Sequence, residues 1–505
     1  MASVALDVST CVEVHHAVPC IVRSAHGWHP VVSALVVTFV VTRRATPRHL
    51  TAVEASVSCP FFVVVRCPEV SQARLLSESL LRMQKAAVIV VGAGAAGLMA
   101  AIHAARVAGG RRVVALDSAT RLGAKIRIAG GGRCNVTHHE VAADDFSGST
   151  TPAIRRVLRA FDVQDTIAFF ASGGVDLKRE ATGKLFPVTD RADDVLRVLV
   201  ESATTSGAEL VYPARVTAIA RDADGFLVQT TIGPWRADAV VVATGGRSVP
   251  RTGSDGAGHG VVQALGVPLT PRIFPALVPV RLPDGHALRA LSGLAADVEL
   301  LVTSSTGRHL HRVAGALLCT HDGLSGPAVL DVSRHWQTAV AADPGARLLV
   351  RWMPGTSDAD LDRRLQQHGA RPIRRALSPP LPERLADIVC LLGGVDPVQS
   401  GATLSREARR ALVGAATAWP VPITGTRGFA VAEVTAGGVP LSALTADLEA
   451  RACPRLFLCG EICDVDGRIG GFNFQWAWAS GWVAGGAAAR SLNLAVEPVA
   501  GWDRA

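Results

Sequence analysis

The hydrophobic pattern changes period several times along the chain, and each change marks an element. Residues 86–91 (AAVIVV) form a continuous apolar, β-branched run, as a strand buried on both faces requires. A glycine turn follows, then an Ala-rich stretch that predicts a helix of small side chains, then a second apolar run, 113–116, closed by Asp117. The order is strand, helix, strand. Ile154, Val157, Leu158, Phe161, Ile167 and Phe170 recur at helical spacing, so 152–170 predicts one helix starting behind Thr151 and Pro152. Another helix is expected from Ala192. Glu209 to Asp238 reads as two or three antiparallel strands around a turn at Asp224-Gly225, and VVVATGG (240–246) as a buried parallel strand that returns to the first sheet. TGSDGAGHG, 252–260, is a glycine-rich turn leading into a helix.

Near Pro268 the pattern shifts. Pro271, Pro275 and Pro279 punctuate short alternating strands that run through Val350, and HDGLSGPAVLDVS (321–333) predicts a turn followed by a helix with Pro327 in its first turn. Ser357 to Trp419 is mostly helical in pattern, with Leu361, Leu365, Ile373, Leu381, Leu385, Ile388 and Leu391 as core candidates. FAVAEVTAGG (429–438) returns to strand and turn, Leu456 to Leu458 is a buried strand, and a small-residue helix starts near Asn473. The class is α/β. Its expected divisions are an extension at 1–82, a nucleotide-binding domain at 83–270, an inserted β-barrel at 271–355, an inserted helical segment at 356–424, and the second part of the nucleotide domain at 425–505.

The glycines carry the first chemistry. Gly92, Gly94 and Gly97 have G-x-G-x-x-G spacing, directly after a predicted strand and at the start of a predicted helix. Gly92 allows the tight turn, Gly94 lets backbone approach a pyrophosphate, Gly97 lets helix pack on strand, and the helix start offers free N–H groups to the anion. Asp117, twenty residues past Gly97, can accept from a ribose hydroxyl. The implied ligand is an adenine dinucleotide. Gly130, Gly131 and Gly132, followed by Arg133 and Asn135, form a loop able to lie against a planar or phosphorylated ligand. Glu180, Lys184, Phe186 and Pro187 are candidates to edge a site, with solvated turn charges as the alternative. In the tail, Gly460, Glu461 and Asp464 precede Gly467, Gly470 and Gly471, which open the last helix. Such a helix start, aimed at a flavin, would stabilise the negative charge that reduction places on the N1–C2=O edge. Trp476, Trp478 and Trp482 are expected to pack that helix rather than stack on a ligand.

Composition changes this picture little. A length of 505 residues gives room for two or three domains, and the +8 charge is spread out, without a basic stripe. Arg far outnumbers Lys, which occurs only at 85, 125, 178 and 184; with the high Ala content this reads as codon bias rather than as a nucleic-acid surface. The ten cysteines show no C-x-x-C pair and no zinc spacing, so a reduced, cytoplasmic protein without a metal is expected, and Cys134 reads as a small packed residue rather than a redox thiol. No apolar run is long enough to span a membrane. Residues 1–82 lack a secretory pattern, and Met83 lies three residues before the first strand. The segment reads as an over-extended translation or dispensable tail, with a short targeting or interaction extension as the alternative.

Seven motifs then occur in a telling order: GAGAAG (92–97), GGGRCN (130–135), ATGG (243–246), GSDG (253–256), THDGLSGPAVL (320–330), VTAGGV (434–439) and GEICDVDGRIGGFNFQWAWASG (460–481). Together they resemble the YhiN-like flavoproteins, a group of NAD(P)/FAD-dependent oxidoreductases that includes the BaiN-type enone reductases. The resemblance runs from Met83 to about Asn493. It implies a glutathione-reductase-like FAD-binding Rossmann domain with an inserted β-barrel and helical domain. Besides Gly97 of the fingerprint, it carries FAD contacts onto Gly92, Gly94, Ala95, Ala96, Asp117, Lys125, Gly132, Arg133, Asn135, Thr244, Gly245, Gly460, Asp464, Gly471, Asn473 and Gln475, with the Val216 backbone facing adenine. The chain departs from the family pattern at Ala129, His138, Val267 and 447–451 (DLEAR).

The expected activity is FAD-dependent oxidoreduction: hydride from NAD(P)H, docked transiently because no second dinucleotide fingerprint is visible, passes to an unsaturated or carbonyl-conjugated small molecule. Alternatives are an oxidase of a small amine and a non-catalytic flavin-binding sensor or assembly factor. His321, Asp322 and Arg468 are the catalytic candidates, with structural or solvated roles as the alternative. Oligomeric state is not encoded in any of these signals.

Overall fold

The computed structural model describes residues 83–493 and, before them, the strands Thr10–His16, Cys20–Ser24, Gly27–Val31 and Leu35–Val41. The chain divides into two units, Met1–Ser79 and Leu80–Ala505. Whether the expected tail at 1–82 is a native part of the protein turns mainly on residues outside those described. The second unit carries all of the glycine-rich motifs.

Strand β1 (Gln84–Val91) leads through helix α1 (Ala95–Val107) to β2 (Val113–Leu116). Val88, Ile89 and Val90 are fully buried, which explains the unbroken apolar run: this strand has helices or loops on both faces and no wet side. β3 (Ala208–Val211) joins β2 in parallel, and the meander β4 (Val216–Asp222), β5 (Gly225–Thr230) and β6 (Gly233–Val242) attaches on the far side of β1. β6 serves two partners on one edge. Its first half pairs antiparallel with β5, and Val240–Val242 pairs in parallel with a strand from the chain's far end, Leu456–Leu458. The carboxyl ends of β1, β2 and β6 therefore meet at one rim, where open α/β sheets bind ligands.

The spacing at 152–170 predicted one helix, and the structure has two, Thr151–Ala160 and Val163–Ser172. Asp162 causes the break. Its carboxylate accepts from the Gln164 and Asp165 amides while the Asp165 side chain accepts from the Asp162 amide, a capping box that restarts the helix.

Residues 280–423 build a hydrophobic core of their own, separate from the core shared by 86–267 and 439–489. Its sheet has seven antiparallel strands, running from Trp419–Pro420 at one end to Gly425–Thr426 at the other. Laid flat, six inter-strand steps would span about 29 Å, yet the two end strands are joined by a link that can reach only about 17 Å. The sheet is rolled. Helix α2 (Pro327–Ala342) packs on it, and Asp358–Gln366, Glu383–Leu392 and Arg406–Thr417 supply the helical part.

Helix α3 (Phe472–Ser491) closes the nucleotide domain by lying along α1. A Cβ on Gly481 would stand 2.3 Å from the Ala96 carbonyl oxygen, and one on Gly485 would stand 2.1 Å from that of Ala100. Matching 96 with 481 and 100 with 485 makes the helices parallel and their backbones nearly touching. α3 begins eight residues, about 12 Å, ahead of α1. Two positive helix ends thus point the same way at staggered depths.

Candidate functional site: a dinucleotide cavity

A cavity of about 550 Å3 opens at the rim where β1, β2 and β6 end, with Val91, Leu116 and Val242 in its wall. Its lining includes Gly92, Gly94, Ala95 and Ala96 at the start of α1, and Gly470, Gly471 and Asn473 at the start of α3. The stagger of the two helices puts both N-termini on this single space. Gly97 lies just behind it, because a Cβ there would fall 1.8 Å from the Gly92 carbonyl oxygen; its place in the fingerprint serves packing. Gly94 is the opposite case. Its φ is −80° and an added Cβ would meet no protein atom within 4 Å, so the fold leaves room there without using it.

Asp117 ends β2 with its carboxylate held over the glycine turn, accepting from the Ala93 amide at 2.6 Å and the Ala119 amide at 2.8 Å. Val216, Thr244, Gly245 and Gly460 also line the cavity. Gly130, Gly131 and Gly132 all have positive φ, curling the loop so that Arg133 and Asn135 face inward. The Arg133 guanidinium lies 4.0 Å over the Phe186 ring and donates to Glu180 at 2.7 Å. Lys125 donates to Glu461 at 2.5 Å and to Ser248 at 2.6 Å, while Glu461 also accepts from Ser248 and from the Thr435 amide. This network ties the loop after β2 to the segments after β6 and after Leu456–Leu458.

Several polar atoms at the cavity are buried and unpartnered: Asn135 Oδ1, Thr244 Oγ1 and Ser254 Oγ. Each would cost about 1–3 kcal/mol if nothing satisfied it. A polyhydroxylated, phosphorylated ligand matches that requirement, and the open face at Gly94 matches its backbone approach. The residues present fit FAD.

Other expected contacts lie elsewhere. Gly132 and Asp464 are outside the cavity lining, and burial pushes the Asp464 carboxyl up. Gln475 is spent inside the protein, accepting from Thr137 and Thr166 and donating to the Phe161 carbonyl. Asn473 reaches the lining, but its amide grips the Gly467 backbone in both directions and so shapes the turn before α3. The catalytic candidates are not gathered at the cavity wall. His321 is exposed, Asp322 pairs with Arg427 at 3.1 Å, and Arg468 pairs with Asp145 at 2.9 Å and covers the Phe472 ring. Cys134 is fully buried and its thiol is pushed up to about 12 by burial, as a packed residue should be. Trp476 donates to the Gly460 carbonyl and Trp478 to that of Val136, both inside the core.

Ser248, Thr435 and Glu433 are the functional-site residues that sequence reasoning passed over. Ser248 and Thr435 are single hydroxyls at the edges of glycine-rich turns and carry no signal of their own. Glu433 had one: an acid set inside the apolar stretch FAVAEVTAGG.

The pattern of strand, glycine turn and helix at this cavity has a counterpart among known proteins. The model for the HI0933-like protein Rossmann domain matches residues 86–487. The chain belongs to the HI0933-like family. It is 33% identical over 407 residues to the ribosomal RNA dihydrouridine synthase of Escherichia coli (strain K12), covering 79% of this chain and 97% of that protein. It is 31% identical over 406 residues to the 3-dehydro-bile acid delta(4,6)-reductase of Clostridium scindens, covering 79% and 98%. Among solved structures, the 3-ketosteroid-delta4-(5alpha)-dehydrogenase of Rhodococcus jostii RHA1 aligns with a TM-score of 0.41 and 18% identity over 82% of this chain and 99% of that one. This member of the HI0933-like family is an FAD-dependent oxidoreductase on a Rossmann-type nucleotide-binding fold. Among the described residues no helix is long and apolar enough to cross a membrane.

Proposed function

We propose that this protein reduces a carbon–carbon double bond conjugated to a carbonyl group, with NAD(P)H as the source of hydride. The observation that carries the reading is the convergence of Gly94 and Gly471, two helix starts 377 residues apart, on one cavity that fits FAD. FAD supplies the hydride-transfer chemistry when bound, accepting two electrons from a nicotinamide and passing them on. The chain's own groups do the rest. The start of α1 and the Asp117 turn hold the dinucleotide's phosphate and ribose, and the start of α3 offers its positive end to the ring that becomes negative on reduction. Lys125, fixed by Glu461 and Ser248, brings a positive charge to the same wall.

The substrate class draws support from the relatives. One is named for reduction of a 3-oxo bile acid with conjugated double bonds, and the uracil that another would convert to dihydrouracil also has its double bond conjugated to a carbonyl. The dispersed charge, without a basic stripe, favours a small-molecule enone as the substrate. The uracil ring of an RNA is the second reading, favoured by the 33% identity to the Escherichia coli protein.

The test is direct. Purified protein should be yellow, and anaerobic NADH or NADPH should bleach it. A 4-en-3-one steroid should then restore the colour and be recovered saturated. Recolouring by a uracil-containing ribosomal RNA instead would favour the second reading. Bleaching by a small amine, with recovery on oxygen, would replace both with an oxidase, and a flavin inert to every donor would leave a sensor.

A further inference from the structure

Nine charged side chains line the cavity, and seven of them are satisfied within it. Arg133 pairs with Glu180, Arg215 with Asp255, Lys125 with Glu461, and Asp117 accepts two backbone amides. Lys184 and Glu433 are the exceptions: among the described residues neither side chain has a hydrogen bond or an ion pair. Glu433 is exposed and Lys184 half-buried at the cavity wall, so water meets both while the cavity is empty, and a ligand that displaces that water would have to supply their partner.

The two come from distant stretches. Lys184 opens the strand Lys184–Pro187, and Glu433 precedes Val434–Ala436, its amide donating to the Leu277 carbonyl. Both stand in the electrostatic range of Asp331 on α2, whose carboxylate accepts from the Ile469 amide at 2.7 Å, in the turn that leads to Gly470, Gly471 and α3. That turn is the cavity's α3 end, where a reducible ring would be met. The protein atoms crowded around the cavity wall push the Glu433 carboxyl up, against the pull of Lys184 and Lys125, although its side chain still reaches solvent.

We propose that Glu433 is the proton donor and Lys184 the oxyanion partner for the conjugated substrate. This rests on the reductase reading above. When the β-carbon receives hydride, the electron pair of the double bond shifts to the carbonyl oxygen, giving an enolate. The Lys184 ammonium meets that developing charge. The Glu433 O–H bond then breaks, its proton forms the new C–H bond at the α-carbon, the carbonyl is restored, and the carboxylate recovers a proton from solvent. One hydride and one proton are consumed per double bond, with no further reactant.

The experiment uses flavin-loaded full-length protein and treats the two half-reactions separately. Glu433→Gln should take hydride from NAD(P)H at the wild-type rate, and its reduced form should be reoxidised by the 4-en-3-one steroid about 100-fold or more slowly. Glu433→Asp should recover part of that loss. In D2O the wild type should place deuterium at the α-carbon. Lys184→Met should weaken, by about tenfold or more, the binding of a para-substituted phenol, an enolate mimic followed by its perturbation of the flavin spectrum, with flavin content unchanged. If the wild type reduces the steroid and both variants match it, the assignment is overturned while the reductase reading stands. If the wild type reduces no enone but the phenol binds in a Lys184-dependent way, the reductase reading fails and Lys184 remains an anion-binding residue.

Discussion

Gly481 and Ala96 touch backbone to backbone: a Cβ on the glycine would sit 2.3 Å from the Ala96 carbonyl oxygen. That contact locks α3 against α1 and sets the stagger of their N-termini. Gly481→Val should wedge the helices apart, lower stability by about 1–3 kcal/mol, and reduce the flavin retained per chain. Thermal unfolding together with the visible absorbance of purified protein checks both effects.

Gly94 and Gly97 separate ligand binding from folding. At Gly94 an added methyl meets no protein atom, whereas at Gly97 it meets the Gly92 carbonyl oxygen at 1.8 Å. Gly94→Ala should therefore leave the apoprotein's unfolding midpoint unchanged and weaken FAD binding about tenfold or more, a penalty of at least about 1.4 kcal/mol. Gly97→Ala should lose folded protein. Equal destabilisation by the two changes would refute the assignment of Gly94 to the ligand.

The rings of His311 and His335 stack with centroids 3.4 Å apart, and Arg334 adds positive charge beside them. Burial first, then these neighbouring charges, lower the His335 pKa to about 3, and burial lowers that of His311 too. A histidine whose folded pKa is depressed contributes stability above its unfolded value of about 6.5 and loses it progressively as the pH falls below that. Between pH 7.5 and 5 the loss at His335 should reach about 2 kcal/mol at most. Denaturant unfolding at the two pH values measures it, and His335→Leu should flatten the difference.

Six cysteines between 134 and 463 are buried and unpaired in disulfides, with Cys134, Cys390 and Cys463 pushed to high pKa by burial. Thiols in that state are poor nucleophiles. Cys134→Ala should keep flavin reduction and reoxidation within about twofold of wild type. A loss of turnover specific to that substitution would restore a redox role.

Much of the nucleotide domain could be read directly, because its signals are local. The buried β1 run, the Gly92–Gly97 turn and Asp117 sit within 32 residues, and each needs only its neighbours to make sense. The short strands expected after the change of pattern near Pro268 announced a sheet, and a seven-stranded sheet lies there. The helix break at Asp162 was not, because the apolar spacing continues across it and only the capping box, a polar feature, stops the helix. Among site residues, Gln475 was a ligand contact only by the family resemblance, and its amide is used up by Thr137, Thr166 and Phe161, none of them near it in sequence.

The amino-acid order by itself determined that a dinucleotide would be held at the end of a parallel strand, since φ > 0 turns, helix starts and small-residue stripes are properties of a few adjacent residues. Only the tertiary structure decided which charges face that ligand without a partner. Whether Lys184 or Glu433 is neutralised depends on groups brought from other elements, and Coulomb attraction follows distance in space rather than separation along the chain.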